Sequence, residues 1–176
     1  MLIDSHCHLD FFDDLSPIVE KSVKSGVTTM VSCSTNLDSI KKHIQMQKEF
    51  KEVRVCLGLH PADILRMGEQ QIKEGLLLVE KNVSKCTAIG EIGIDFKYAS
   101  TPAQRALQED VFRKQIQIAI KNDLSIVVHG RFAEERAMEI LVQEGAKKVL
   151  MHWFTNFSKS VEIACNNGFF VSCGPI

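Results

Sequence analysis

Six histidines are spread through the chain, and five of them stand where a short apolar run ends. His6 and His8 close the first run in the order His-Cys-His. Residues i and i+2 of an extended segment point to one face, so both imidazoles can reach a single ion. His60 follows in Gly58-Leu59-His60-Pro61, and Glu91 in Ile89-Gly90-Glu91-Ile92-Gly93-Ile94-Asp95. His129 stands in Val127-Val128-His129-Gly130-Arg131, and His152 in Leu150-Met151-His152-Trp153-Phe154. An H-x-H pair alone is a weak signal. A metal-type ligand at the C-terminal end of each of several separate runs is a strong one. Imidazoles with a carboxylate and no required thiolate suit Zn, Mn, Fe, Ni or, with fewer nitrogens, Mg. His43 lies in mid-helix and receives no role.

The elements that must position these residues alternate strictly. Apolar runs predict strands at Leu2–His6, Thr28–Ser32, Val53–Leu59, Cys86–Ile92, Leu124–His129, Lys148–Trp153 and Phe169–Cys173. They are rich in Val, Ile, Leu and Cys with little polar alternation, as parallel strands covered on both faces are. Helices are predicted from Ser16-Pro17 to before Gly26, over Asp38–Phe50, Glu69–Lys81, Pro102–Lys121, Glu134–Gln143 and Lys159–Asn166. Thr101, Pro102 and Gln104 write a capping box, and Val111, Phe112, Gln115, Ile118 and Ala119 a 3.6-residue stripe with one polar member. This is one α/β domain over residues 1–176, with a parallel sheet and helices outside it. Length favours an open doubly wound sheet, because a full TIM barrel takes about 250 residues. The polar residues gathered at one set of strand ends favour the barrel, where those ends form one reactive face.

Composition removes other classes. The chain has 176 residues, 45% of them hydrophobic and 24% charged, with a formal net charge of -1. No basic excess points to bulk electrostatic capture of nucleic acid, so positive charge for a polyanion must be local or come from a metal. No apolar run has the length of a membrane span, and Met1-Leu2-Ile3-Asp4-Ser5-His6 does not read as a signal peptide. The six cysteines (Cys7, Cys33, Cys56, Cys86, Cys165 and Cys173) form no C-x-x-C pair and read as reduced, buried thiols of a cytoplasmic protein. The cluster Lys41, Lys42, Lys48, Lys51 and Arg54 reads as a solvated outer face.

Taken in order, D-S-H-C-H-L-D, G-L-H-P, I-G-E-I-G-I-D, V-H-G-R and H-W-F-T resemble the motifs of the TatD-related metal-dependent deoxyribonucleases, from residue 3 to residue 176. The resemblance implies a TIM barrel of the metallo-dependent hydrolase type, a pair of divalent metal ions, and hydrolysis of phosphodiester bonds in DNA. It implies that His6 and His8 bind one metal, that Glu91 bridges both, and that His129 and His152 bind the second. His60 matches a histidine near the substrate, read as phosphate-binding or as support for the ligands, and Arg131 either clamps a phosphate or makes a surface salt bridge. Asp4, Asp10 and Asp95 resemble partners that orient imidazoles.

The sequence also departs from the family. Gly130 replaces a serine, and Trp153 stands where a cysteine often follows the histidine. The family's last strand ends in an aspartate that binds the first metal and can serve as base. No such motif follows Pro175-Ile176, so the expectation is a barrel lacking its last β/α unit, with open edges at its first and last strands that invite self-association. Two other readings stay open: a metal-dependent amidase or esterase on the same barrel, and a metal-binding fragment with impaired catalysis.

Overall fold

The computed structural model describes residues 2–155 and 159–174. Seven strands form one parallel sheet: β1 (Leu2–Cys7), β2 (Val27–Cys33), β3 (Val53–Leu57), β4 (Ala88–Asp95), β5 (Ser125–Arg131), β6 (Val149–His152) and β7 (Phe170–Val171). The helices are α1 (Ser16–Lys24), α2 (Leu37–Glu49), α3 (Pro61–Ile64), α4 (Glu69–Lys81), α5 (Pro102–Lys121), α6 (Glu134–Glu144) and α7 (Lys159–Asn167). The strands lie in the order β1-β2-β3-β4-β5-β6-β7, every neighbouring pair parallel. A doubly wound sheet reverses its strand order at a switch point. No reversal occurs here, so successive right-handed crossovers put the helices on one side and the sheet curls as a barrel wall.

The core is layered as the sequence pattern requires. Every residue of β4 is buried, in keeping with a central parallel strand covered on both faces. Ile40, Ile116, Met138, Ile140 and Leu141 bring α2, α5 and α6 onto Val55, Leu57, Ile89, Ile92 and Val128 of the sheet. Helix α5 begins with the expected capping box: Thr101 Oγ1 accepts from the Gln104 N–H at 3.2 Å, and Gln104 Oε1 accepts from the Thr101 N–H at 3.1 Å.

Two polar residues on the buried face of α5 brace the site. Gln115 Oε1 accepts from the Leu59 N–H at 2.7 Å, and its Nε2 donates to the Leu59 carbonyl at 3.2 Å. Gln108 Nε2 donates to the Pro61 carbonyl at 2.9 Å, while its Oε1 accepts from the Asp95 N–H at 3.0 Å. Each amide occupies a backbone donor and a backbone acceptor at or just past the strand ends. The loop carrying His60 and the end of the strand carrying Glu91 are thereby pinned to one helix.

Two expectations need correction. Strand β7 comprises only Phe170–Val171, so Cys173 lies beyond it and is exposed, as is Cys165. Among the cysteines only Cys33 and Cys56, on interior strands β2 and β3, are fully buried. The edge position of β7 explains the exposure of Cys173, since residues past a two-residue edge strand have no layer over them; Cys165 lies on α7. Leu2 and Ile3 on β1 and Phe170 and Val171 on β7 are also exposed, at the two edges of the sheet.

Candidate metal centre

The C-terminal ends of β1, β4, β5 and β6, with the loop after β3, open into one cavity of about 690 Å3 lined by His6, His8, His60, Glu91, His129 and His152, among others. Glu91 is at its centre and only 3% exposed. Its two oxygens face different groups. Oε2 lies 3.3 Å from His6 Nε2 and 3.2 Å from His8 Nε2. Oε1 lies 2.9 Å from His129 Nδ1 and 3.8 Å from His60 Nε2. The ligand atoms of His6, His8 and Glu91 fall within 4.8 Å of one another, as do those of His60, Glu91 and His129.

Local geometry explains how each ring is aimed. Cys33 ends β2, next to β1. Its carbonyl accepts from His8 Nδ1–H at 2.9 Å, and its Sγ lies 3.4 Å from His6 Nδ1. One residue thus occupies the Nδ1 side of both rings and leaves their Nε2 atoms, 3.2 Å apart, directed at Glu91. His129 is held between carboxylates, with Asp95 Oδ2 at 2.9 Å from Nε2 and Glu91 Oε1 at 2.9 Å from Nδ1. Gly93 lets β4 approach β5 here: its φ is +148°, and a Cβ would fall 2.0 Å from the His129 carbonyl oxygen. The Asp95 carboxylate also accepts from the Lys97 and Tyr98 N–H groups, at 2.9 and 3.3 Å.

The grouping differs from the sequence expectation in one respect. His60 takes the third place beside Glu91 and His129. His152, expected there, is in register with His129 but turns its ring onto His6, with centroids 3.5 Å apart. Its Nδ1 is buried and has no hydrogen-bond partner among the described residues. Arg131 is exposed on the cavity wall and makes no salt bridge among the described residues. Asp4 Oδ1 accepts from the backbone N–H of His6 at 3.1 Å, and Asp10 turns away to Ser39; neither touches a ligand imidazole. Sequence reading missed Cys33 and Gln108. Their types carried no signal for this role, though Gln108 is one of two polar residues on the buried face of α5.

The electrostatics describe a site that draws positive charge. Burial disfavours the Glu91 carboxylate, yet hydrogen bonds from His129, His6 and His8 outweigh it and hold the group well below the usual carboxylate range. Burial likewise opposes charge on His129, but Asp95 and Glu91 lift it to about 9. His8 is raised for the same reason: burial lowers it, and the Glu91 bond and charge prevail. His60 and His152 are pushed down to about 4, chiefly by burial, which keeps their rings neutral; His60 Nδ1 accepts from the Ala62 N–H at 3.1 Å, while His152 Nδ1 has no hydrogen-bond partner among the described residues. Convergent Nε2 atoms, a shared carboxylate, an unpartnered His152 Nδ1 and carboxylates that hold a proton on His129 in place of a cation all fit divalent metal. A nitrogen-rich set with carboxylates suits transition metals.

A parallel barrel wall with a histidine–carboxylate centre at its strand ends defines a metal-dependent hydrolase. The chain belongs to the TatD related DNase family, whose model matches residues 3–176. It is 32% identical over 186 residues to the human deoxyribonuclease TATDN3, covering 99% of this chain and 68% of that one. It is 33% identical over 182 residues to the Bacillus subtilis metal-dependent hydrolase YabD, covering 99% and 69%. The fold matches the crystal structure of the TatD homologue YJJV from Escherichia coli with a TM-score of 0.84 at 21% identity, over 97% of this chain and 66% of that one. The chain thus spans about two thirds of the length of these relatives.

Proposed function

We propose that this chain cleaves phosphodiester bonds in DNA with two divalent metal ions, one held by His6, His8 and Glu91 and the other by Glu91 and His129 with His60 or His152. The observation that carries this reading is the division of Glu91, whose Oε2 faces one histidine pair while its Oε1 faces another. A buried carboxylate offering one oxygen to each of two ligand groups is the arrangement a bridging ligand needs. Bound there, the ions would supply a nucleophile from water near neutral pH and offset charge on the phosphate oxygens.

The protein's own groups do the rest. Cys33 fixes the two Nδ1 sides and so presents Nε2 of His6 and His8 together. Asp95 orients His129 and strengthens its ring as a donor. Arg131, exposed on the cavity wall, is placed to take a phosphate oxygen. Contacts of this kind address phosphate and not sequence, so cleavage should be weakly sequence-specific. The wall residues also explain how a chain of net charge -1 can admit a polyanion, since the positive field is confined to the site.

The test is hydrolysis of a labelled oligodeoxynucleotide and of a carboxylic ester panel, each with Mn, Mg or Zn and with chelator. Metal-dependent, chelator-sensitive cleavage of the oligonucleotide with inert esters is the expected result. Turnover of esters alone would transfer the site to the esterase reading. Cation binding without turnover of either would leave a metal-binding fragment.

A further inference from the structure

Two aromatic side chains at the mouth of the cavity have no part in holding a cation. Trp153 directly follows His152, and Phe132 lies three residues after His129 on the neighbouring strand end. Both line the cavity, and both are open to solvent, Trp153 by 53% and Phe132 by 73%. Both also sit in the left-handed backbone region, at φ +51° and +54°. Bulky residues rarely adopt it, and the surroundings must impose it.

Trp153 is held in place with care. His6 stacks on His152 at 3.5 Å between centroids and 17° between planes, and His152 on Trp153 at 5.8 Å and 8°. Three nearly parallel rings therefore form a column whose outermost member is the half-exposed indole. Gly174 lies against the pyrrole half of that indole, where a Cβ would fall 1.4 Å from Nε1, so any side chain at 174 would displace the ring. The backbone N–H of Trp153 donates to Ser172 Oγ at 3.1 Å. Arg131 stands on the same wall, adjacent in sequence to Phe132.

A ring imposed by strained backbone is usually packed under something. These two are exposed, beside the candidate metal centre and an Arg131 guanidinium that makes no salt bridge among the described residues. That combination suits a ligand planar at one end and anionic at the other. We propose that Trp153 and Phe132 form a stacking site for the nucleobase of the nucleotide whose phosphate enters the metal centre. The base adds a plane to the His6–His152–Trp153 column, Phe132 supplies a second apolar wall, and Arg131 takes a phosphate oxygen. The anionic half of this assignment rests on the phosphodiesterase reading above; the stacking half is read from the rings themselves.

Trp153 is the chain's only tryptophan, so its fluorescence reports this site alone. The full chain, loaded with Zn, is titrated with thymidine 5′-monophosphate and, separately, with 2-deoxyribose 5-phosphate, which carries the same phosphate without the base. Neither contains a phosphodiester, so turnover does not interfere. Saturable quenching by the nucleotide alone is expected, with Phe132→Ala weakening it about 5- to 150-fold, the range found for base–aromatic stacking. In parallel, kcat/KM is compared for an oligonucleotide and its terminally abasic counterpart. The native chain should favour the base-bearing strand by a similar factor, Trp153→Ala and Phe132→Ala should abolish the preference, and Trp153→Phe should restore most of it. Equal quenching by both phosphates, no quenching, or a preference that survives both alanine variants would overturn the stacking site. Base-dependent quenching without turnover of any phosphodiester would keep the stacking site and overturn the hydrolase reading. Turnover indifferent to the base would do the reverse.

Discussion

Two polar clusters lie on either side of the β1–β2 strand pair, built from similar residues and arranged in opposite ways. In the cavity, five histidines surround Glu91; His6, His8, His60 and His129 turn a ring nitrogen toward its oxygens, and His152 stacks on His6. Behind the sheet, His43, Ser32, Ser39 and Asp10 are buried under α2. There the groups answer one another, save Asp10 Oδ1, which is buried with no hydrogen-bond partner among the described residues. His43 Nδ1–H donates to the Ser39 carbonyl at 2.8 Å, and Nε2 accepts from the Ser32 hydroxyl at 2.8 Å. Ser32 Oγ accepts from the Leu9 N–H at 2.9 Å, and Ser39 Oγ–H donates to Asp10 Oδ2 at 2.6 Å. Burial lowers the pKa of His43 below its ordinary value, so the ring is neutral. The closed cluster spends both ring nitrogens of His43 and both serine hydroxyls internally and fastens the segment after His8 to α2. The open one turns several ring nitrogens onto one buried carboxylate, an arrangement that suits a cation. Histidine count does not separate the two. What separates them is where the ring nitrogens point: His43 spends both on Ser32 and Ser39, whereas His6 and His8 turn Nε2 to Glu91.

The comparison breaks most sharply at Glu91. Glu91→Gln keeps the shape and removes the charge shared by both histidine groups. Loss of a carboxylate that would bind metal directly should exceed the range for partners that only orient ligands, so affinity for Zn or Mn should fall by more than about a hundredfold and turnover with it. Calorimetric titration measures it. Retained affinity would show that the histidines bind without the bridge.

Asp95 tests the same cluster one step out. Asp95→Asn leaves His129 a neutral partner in place of a carboxylate, and metal affinity should fall about 10- to 100-fold. In the metal-free variant the His129 pKa should drop from about 9 toward its ordinary value, by NMR titration. An unmoved pKa would mean that Glu91 alone holds the proton there.

The closed cluster should respond in stability and not in metal. His43→Gln leaves Ser32 and the Ser39 carbonyl short of partners, at a cost of about 1–3 kcal/mol. The pH dependence has a definite sign. The folded pKa of His43 lies below its unfolded value, so its contribution is present above the ordinary histidine range and is lost as pH falls through the folded pKa. The stability gap between native chain and variant should therefore be widest near pH 7.5 and narrow on acidification, in urea melts at matched pH. Metal stoichiometry in the variant should equal that of the native chain.

Much of this contrast was legible in the sequence, and the rest had to come from the fold. Helices α4 and α5 begin and end at the residues the periodicity and the Thr101 capping box predict, and every predicted strand is present within a few residues. Strand ends locate His6, His60, Glu91, His129 and His152 because alternation in a parallel sheet puts all those ends on one face. Partnerships across the sheet were not legible. Asp10, beside an H-x-H pair, reads as its support, yet one strand of separation turns it to Ser39 and His43. Cys33 reads as a buried thiol, and only the parallel register of β1 and β2 brings its carbonyl to His8. Gln115 was visible as a polar residue in an apolar stripe, but its target, the backbone of Leu59, lies 56 residues away in sequence. Helix α3, four residues long, is too short for any period to declare.

The smallest effect belongs to the basic face of α2, which separates charge near the site from charge that serves it. Lys41 is exposed and pairs with Asp38 at 3.3 Å, three residues away on the same helix, a contact that contributes little in water. Lys42 differs, since its Nζ donates to the Asp10 carbonyl at 3.3 Å and so belongs to the closed cluster. Neither lines the metal cavity. The positive charge that meets a strand is therefore assigned to the centre itself and to Arg131, and Lys41 is left as solvated surface. Lys41→Glu should move the thermal midpoint by less than about 2 °C and leave oligonucleotide affinity at moderate salt unchanged. Fluorescence anisotropy across a salt series checks this, because loss of a true phosphate contact would flatten the salt slope by about one unit as well as weaken binding. A flattened slope in Lys41→Glu would extend the binding surface from the strand ends onto the helix layer, and the division between an open cluster that meets ligand and a closed one that holds the fold would have to be redrawn through α2.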